Sequence, residues 1–135
     1  MKAESEQGKT LLVLDDEPDA RDIVRFIFEP RGYLVHSRGD GAEALELLRR
    51  EPIAVLLLDL LMPGMDGKEF LRELQRLDGE DRPVVIVNSA RKAEDVGREV
   101  EGLDVFDILG KPYELREIEK RVDRAFEEKV RRLSG

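Results

Sequence analysis

The 135 residues contain no cysteine, which removes disulfide frameworks, thiolate metal sites and thiol nucleophiles from consideration. A reducing compartment suits such a chain, and the cytoplasm is the expected location. The single histidine, His36, sits in a strand-like stretch with no carboxylate motif around it, so it receives no role. No apolar run approaches the roughly 20 residues that a membrane span needs. The start, M-K-A-E-S-E-Q-G-K-T, lacks the apolar centre of a signal peptide. Positive charge is also in short supply: 23 Lys and Arg stand against 31 Asp and Glu, a net charge of -8. A field of that sign repels nucleic acid and disfavours direct DNA binding. No glycine-rich phosphate loop follows the first apolar run, which argues against a nucleotide or flavin site.

The residues that are present suit one folded unit. The length matches a single domain, and 41% apolar residues with 40% charged is too apolar for a disordered chain. Residues 1 to 9 read as a flexible tail, residues 10 to 133 as the domain, and Arg131 to Gly135 as a fraying end. Four apolar runs stand out: Leu11 to Leu14, Ile53 to Leu58, Val84 to Val87, and Val105 to Leu109, which Asp107 interrupts. Tyr33 to Ser37 is a weaker fifth candidate. Continuous rather than alternating apolar strands require cover on both faces, the mark of a parallel sheet between helices.

Helical periodicity fills the gaps. One face is predicted from Ile23, Phe26 and Ile27, a second from Ala44, Leu45, Leu47 and Leu48, and a third from Phe70, Leu71, Leu74 and Leu77. The last comes from Leu115, Ile118, Val122, Ala125 and Phe126. Arg91 to Gly102 is the weakest helix, with few apolar residues and an internal Gly97 that costs about 1 kcal/mol relative to alanine. Five strand and helix alternations, joined by right-handed crossovers, predict an α/β fold. It has a five-stranded parallel sheet of order 2-1-3-4-5 and five helices distributed over both faces, as in flavodoxin.

Open parallel sheets bind ligands beyond the carboxyl ends of their strands, and those ends are acidic here. The first run ends in Asp15-Asp16, followed by Glu17 and Pro18; the third ends in Asp59. Three converging carboxylates repel one another unless a cation compensates, and all-oxygen ligands point to a hard ion. Mg²⁺ is the expected cofactor, with Mn²⁺ as substitute. The fourth run ends in Ser89 and the fifth leads to Lys111-Pro112. A hydroxyl donor and an ammonium at that edge suit a phosphoryl group. With no cysteine available, Asp59 becomes the candidate nucleophile beside the metal. Pro63 and Gly64 favour a turn in the following loop, and Asp66 can cap the next helix.

Taken singly, each feature also has a plain structural reading. Asp16 or Glu17 could cap a helix, and Ser89 and Lys111 could sit in ordinary turns. Their joint occurrence at successive strand ends is what favours a site. The charged stretch from Arg121 to Arg132 reads as a solvated helix face with pairs such as Glu127 and Arg131. Val130 and Leu133 extend the same helical pattern, as a stub of a linker or a dimer contact would.

The motifs Asp15-Asp16-Glu17, D-L-L-M-P-G-M-D-G from Asp59 to Gly67, Ser89-Ala90 and Lys111-Pro112 resemble those of the receiver domain of two-component response regulators, CheY-like proteins. The resemblance spans Thr10 to Phe126. It implies that Asp59 is phosphorylated by a histidine kinase or phosphotransfer protein in a phosphorelay. It further implies that Asp16 binds the metal directly, Asp15 through water, and the Leu61 carbonyl as a further ligand. Ser89 and Lys111 would hold the phosphoryl oxygens, Leu61 and Arg91 would tune its lifetime, and the bond before Pro112 would be cis. The implied role is a phosphoacceptor signalling domain rather than a turnover enzyme. Its output would pass to a downstream protein, or to a homodimer partner, through the fourth helix, fifth strand and fifth helix, where Arg91, Lys92, Asp107, Glu114, Lys120 and Arg121 stand. One departure from the pattern is Ile108, where the family commonly has a switching Tyr or Phe. The nearest ring, Phe106, is expected on the same strand face but farther away. An aspartyl phosphohydrolase is the enzymatic alternative, but it usually wants Asp-X-Asp on the first strand; an unphosphorylated interaction module is the third reading.

Overall fold

A computed structural model describes residues 8–134. Five strands, β1 (Thr10–Leu14), β2 (Leu34–Arg38), β3 (Val55–Asp59), β4 (Val84–Ser89) and β5 (Asp107–Gly110), alternate with five α-helices. These are α1 (Pro18–Phe28), α2 (Gly41–Arg50), α3 (Gly67–Leu74), α4 (Ala93–Glu99) and α5 (Leu115–Ser134). All four strand pairings are parallel, in the order β2-β1-β3-β4-β5. The predicted topology is the observed one.

The strand alternation sorts side chains between two cores. Leu12, Leu14, Leu56, Leu58, Val85 and Val87 meet Ala44, Leu47, Leu48, Phe70, Leu71, Leu74, Val96 and Val100 from α2, α3 and the α4 region. Leu11, Val13, Val55, Leu57, Val84 and Ile86 meet Val24, Phe28, Ile118, Val122 and Ala125 from α1 and α5. Burial on both faces explains why β1, β3 and β4 read as unbroken apolar runs.

The structure corrects several details of the pattern reading. On α1 the buried residues are Val24 and Phe28, whereas Ile23 and Phe26 are exposed, Phe26 at 81%. Ile27, the third predicted residue, is partly buried and packs with Val24 and Phe28 against the core that holds Leu11, Val13 and Val35. Leu115 is exposed, while Tyr113 before it and Ile118 after it pack against the α1 and α5 core. Leu77 lies beyond α3, in a turn where its N–H donates to the Leu74 carbonyl. β5 begins at Asp107, so Val105 and Phe106 precede it, although the Phe106 N–H already donates to the Val85 carbonyl at 2.8 Å. Phe106 itself is more than a third exposed.

At the chain ends, the predicted tail over residues 1 to 9 falls mostly outside the described residues. Lys9 is tied in, its carbonyl accepting from the Leu34 N–H at 2.8 Å. The predicted fraying from Arg131 gives way to helix through Ser134. Arg131 and Arg132 both pair with Glu128, not Glu127. Those hydrogen bonds, Arg131 first, hold the Glu128 carboxyl at about 2, below the usual carboxylate range.

Candidate phosphoacceptor site

β1, β3, β4 and β5 all run in one direction, so their last residues meet at one edge. Asp15 follows β1, Asp59 ends β3, Ser89 ends β4, and Lys111 follows β5. Pairing fixes the neighbours: Leu14 lies beside Leu58, Asp59 beside Asn88, and Ser89 beside Gly110. The Lys111 N–H donates to the Ser89 carbonyl at 2.8 Å.

One oxygen from each of Asp15, Asp16 and Asp59 lies within 4.8 Å of the other two. Asp15 is almost wholly buried and Asp59 is 9% exposed, whereas Asp16 is exposed. Their geometry is held from several sides. The Asp15 Oδ1 accepts from the Glu17 N–H at 3.0 Å, and the Asp59 Oδ1 from the Leu61 N–H at 2.9 Å. Glu17 occupies the N-cap position of α1 without a side-chain cap bond, so neither it nor Asp16 serves as the cap considered above.

Lys111 brings an ammonium to these carboxylates. Its Nζ lies 3.0 Å from Asp15 Oδ2 and 3.5 Å from Asp59 Oδ2. Burial alone would lower its affinity for a proton, but the hydrogen bond to Asp15 and the charges of Asp59 and Asp15 outweigh that and raise its pKa. Asp59 moves upward as well, because burial outweighs the Leu61 N–H and the Lys111 charge. One ammonium shared between two carboxylates neutralises them only in part. Lys111 pairs with two of the three carboxylates and Arg21 binds a backbone carbonyl, so the carboxylate oxygens still form a donor set suited to a divalent hard cation.

Ser89 is 1% exposed, and its Oγ accepts from the Arg91 N–H at 3.1 Å. Leu61 projects its side chain into solvent, 51% exposed. The Arg91 side chain turns toward Glu99, with Nη2 2.6 Å from Oε1. Ile108 packs against the core under α4, where its Cδ1 would lie 3.9 Å from a Cβ on Gly97. The Lys111-Pro112 peptide is cis.

Three participants escaped the sequence reading. The Arg21 Nη1 donates to the Asp15 carbonyl at 2.7 Å, above Gly39, where a Cβ would sit 2.7 Å from that nitrogen. Tyr113 has its hydroxyl pKa raised by burial, with Lys111 opposing and Asp15 adding to the rise. Asn88 is buried with its Oδ1 unpartnered. An arginine one turn into α1 and a polar residue closing an apolar strand are the signals that could have drawn attention to two of them.

Around Asp59 the chain is locked into place. The Gly64 φ of 76° and the Met65 N–H bond to the Met62 carbonyl make the turn that Pro63-Gly64 predicts. The Asp66 carboxylate accepts from the Lys68 and Glu69 N–H groups, capping α3. A Cβ on Gly67 would lie 2.4 Å from Leu60 Cδ2, so only glycine fits there without movement of a buried side chain.

Residues 11–123 match the family model of the response regulator receiver domain. The chain is 36% identical over 114 residues to the response regulator MprA of Mycobacterium leprae, an alignment covering 83% of this chain and 48% of that protein. It thus spans about half the length of such curated relatives. A CheY-like receiver domain protein from Methanospirillum hungatei JF-1 superposes with a TM-score of 0.82 at 21% identity, covering 91% of this chain and 97% of that one. The receiver domain of the sensor histidine kinase PA1611 from Pseudomonas aeruginosa PAO1, whose crystal structure has magnesium coordinated in the active site cleft, superposes with a TM-score of 0.77. That match is 24% identical and covers 88% of this chain and 98% of that one. At those identities the likeness is one of fold, and the family model with the curated relatives carries the assignment: the chain belongs to the receiver domain family of two-component response regulators.

Proposed function

We propose that Asp59 accepts a phosphoryl group from a histidine kinase or phosphotransfer protein, and that the domain signals by the resulting change in its surface. The observation that carries this reading is the position of Asp59. Its Oδ1 is held by the Leu61 N–H, and its Oδ2 lies beside the Lys111 ammonium, within reach of the Asp15 and Asp16 oxygens. Asp15, Asp16 and Asp59, with the Leu61 carbonyl, would hold Mg²⁺. Bound there, the ion supplies positive charge to the transferring phosphoryl oxygens and lessens their repulsion from the carboxylates. A carboxylate oxygen of Asp59 forms the new P–O bond as the P–N bond to the donor imidazole breaks, and the electron pair leaves with that imidazole. Lys111 then stabilises one phosphoryl oxygen and the Ser89 hydroxyl donates to another.

The domain comprises residues 10–133, acts in the cytoplasm, and addresses a protein partner or second copy through α4, β5 and α5. The exposed Leu61 and the Arg91 side chain restrict the attacking water and lengthen phosphoryl lifetime. Leu61→Asn and Arg91→Ala should shorten the half-life of the adduct, as read by mass spectrometry after donor removal. The central test is incubation with Mg²⁺ and acetyl phosphate followed by intact-mass measurement. One phosphoryl adduct is expected, dependent on the metal and lost in Asp59→Asn. Steady hydrolysis of unrelated phosphoesters without an adduct would favour the phosphohydrolase instead.

A further inference from the structure

α4 lies over Ile108 rather than over an aromatic ring. This helix is the shortest of the five, at seven residues, and has no side-chain N-cap. Helices of that length are marginal without tertiary support. Val96 and Val100 anchor its inner face, and Gly97 lies over Ile108 with no side chain to interlock. The Arg98 pairing with Asp95 stays within the helix and is solvent exposed. The ion pair between Arg91 and Glu99, at 2.6 Å, is of another kind. It joins the loop after β4 to the last residue of α4, so it spans the whole helix. Both side chains are about two-thirds shielded, which reduces screening by solvent.

The Arg91 end of this pair is poorly satisfied. Its buried Nε has no acceptor, and its Nη2 approaches Glu99 without hydrogen-bonding alignment. A guanidinium with spare donors responds to a better acceptor, and a phosphoryl group offers more charge and three oxygens in a geometry that guanidinium matches. Such an acceptor would arise on the strand next to the one that carries Ser89. The Arg91 N–H is already bonded to the Ser89 Oγ, so a turn of that hydroxyl toward Asp59 acts on the same loop.

We propose that the Arg91–Glu99 ion pair is a clasp that holds α4 against the sheet in the unphosphorylated chain, and that phosphorylation of Asp59 opens it by drawing Arg91 away from Glu99. The opening half rests on the phosphoacceptor reading; the clasp itself does not. Its test is hydrogen exchange on the full chain, following the Val96, Val100 and Leu103 amides, which donate to the Lys92, Val96 and Val100 carbonyls. In the unmodified protein, Glu99→Gln and Arg91→Gln should each speed exchange of these amides at least about threefold. The double variant should be no faster than either single one. Glu101→Gln, which removes a nearby exposed carboxylate, should leave exchange unchanged. Unfolding in urea identifies any variant that loosens globally; equal acceleration of β1 and β3 amides would overturn the clasp. Beryllofluoride with Mg²⁺, a phosphoryl mimic, should speed exchange of the three amides in the wild type and add nothing in Glu99→Gln. Unchanged exchange in unmodified Glu99→Gln overturns the clasp. Binding of beryllofluoride that leaves α4 unaffected overturns its opening. No binding at all would refute the phosphoacceptor reading and the opening together, while the unmodified variants still decide the clasp.

Discussion

Asp59 carries a charge that its own burial opposes. Burial raises its pKa from 3.8 despite the Leu61 N–H and Lys111, so the folded site holds the ionised form less well than water does. A group whose folded pKa is raised contributes stability below its unfolded value and loses it as pH rises through the folded one. Asp59→Asn removes that penalty. Without divalent cations it should therefore be more stable than wild type at neutral pH, by about 1 kcal/mol or a few degrees in Tm. The difference should shrink as pH falls through the elevated pKa toward 4, and thermal unfolding from pH 4 to 8 measures it. Added Mg²⁺ should reverse the order, because a ligand that binds only the native state adds about 1.4 kcal/mol at ten times its Kd. Asp59→Asn should respond far less.

At the scale of elements, two glycines in helices make opposite demands. Gly67 begins α3 under Leu60, where a Cβ would come within 2.4 Å of a buried methyl group. Gly97 lies in α4 with ordinary contact distance to Ile108. Gly67→Ala should destabilise by about 2 kcal/mol through overpacking. Gly97→Ala should stabilise by about 0.5–1 kcal/mol through helix propensity. Urea unfolding of both variants checks the contrast. The sequence alone shows a helix-weakening glycine at each place, and periodicity carries no information about the atoms opposite. The same limit explains α1, where Ile23 and Phe26 fit the helical period but are exposed, while Ile27 packs partly buried beside Val24 and Phe28. The short β5 was legible only in part, since Asp107 breaks the apolar run and its carboxylate instead meets the Arg121 guanidinium at 2.6 Å.

Across the whole molecule, α5 fastens the far end of the sheet. Lys129 is 6% exposed, and its Nζ donates to the Glu80 and Arg82 carbonyls, both at 2.7 Å. Arg132 approaches Asp104, whose N–H is bonded to Gln75. The helix end that looked like a solvated extension is thus joined to the segments entering β4 and β5. Lys129→Met should cost about 2–3 kcal/mol by leaving two carbonyls without their donor. Arg131→Ala, at an exposed and solvent-screened pair, should leave the denaturation midpoint essentially unchanged. Chemical denaturation of the two variants separates anchoring from surface charge.

The sequence by itself determined the α/β architecture, the strand order and the family, because the apolar runs of β1, β3 and β4 mark strands covered on both faces and the acidic, hydroxyl and lysine positions recur at successive strand ends. Tertiary structure decided which residues of α1 turn inward, that Arg21 braces Asp15, that Lys111 is shared between two carboxylates, and that Arg91 reaches Glu99 across α4. Each of these depends on which distant residues come within a few ångströms, and local periodicity does not encode that distance.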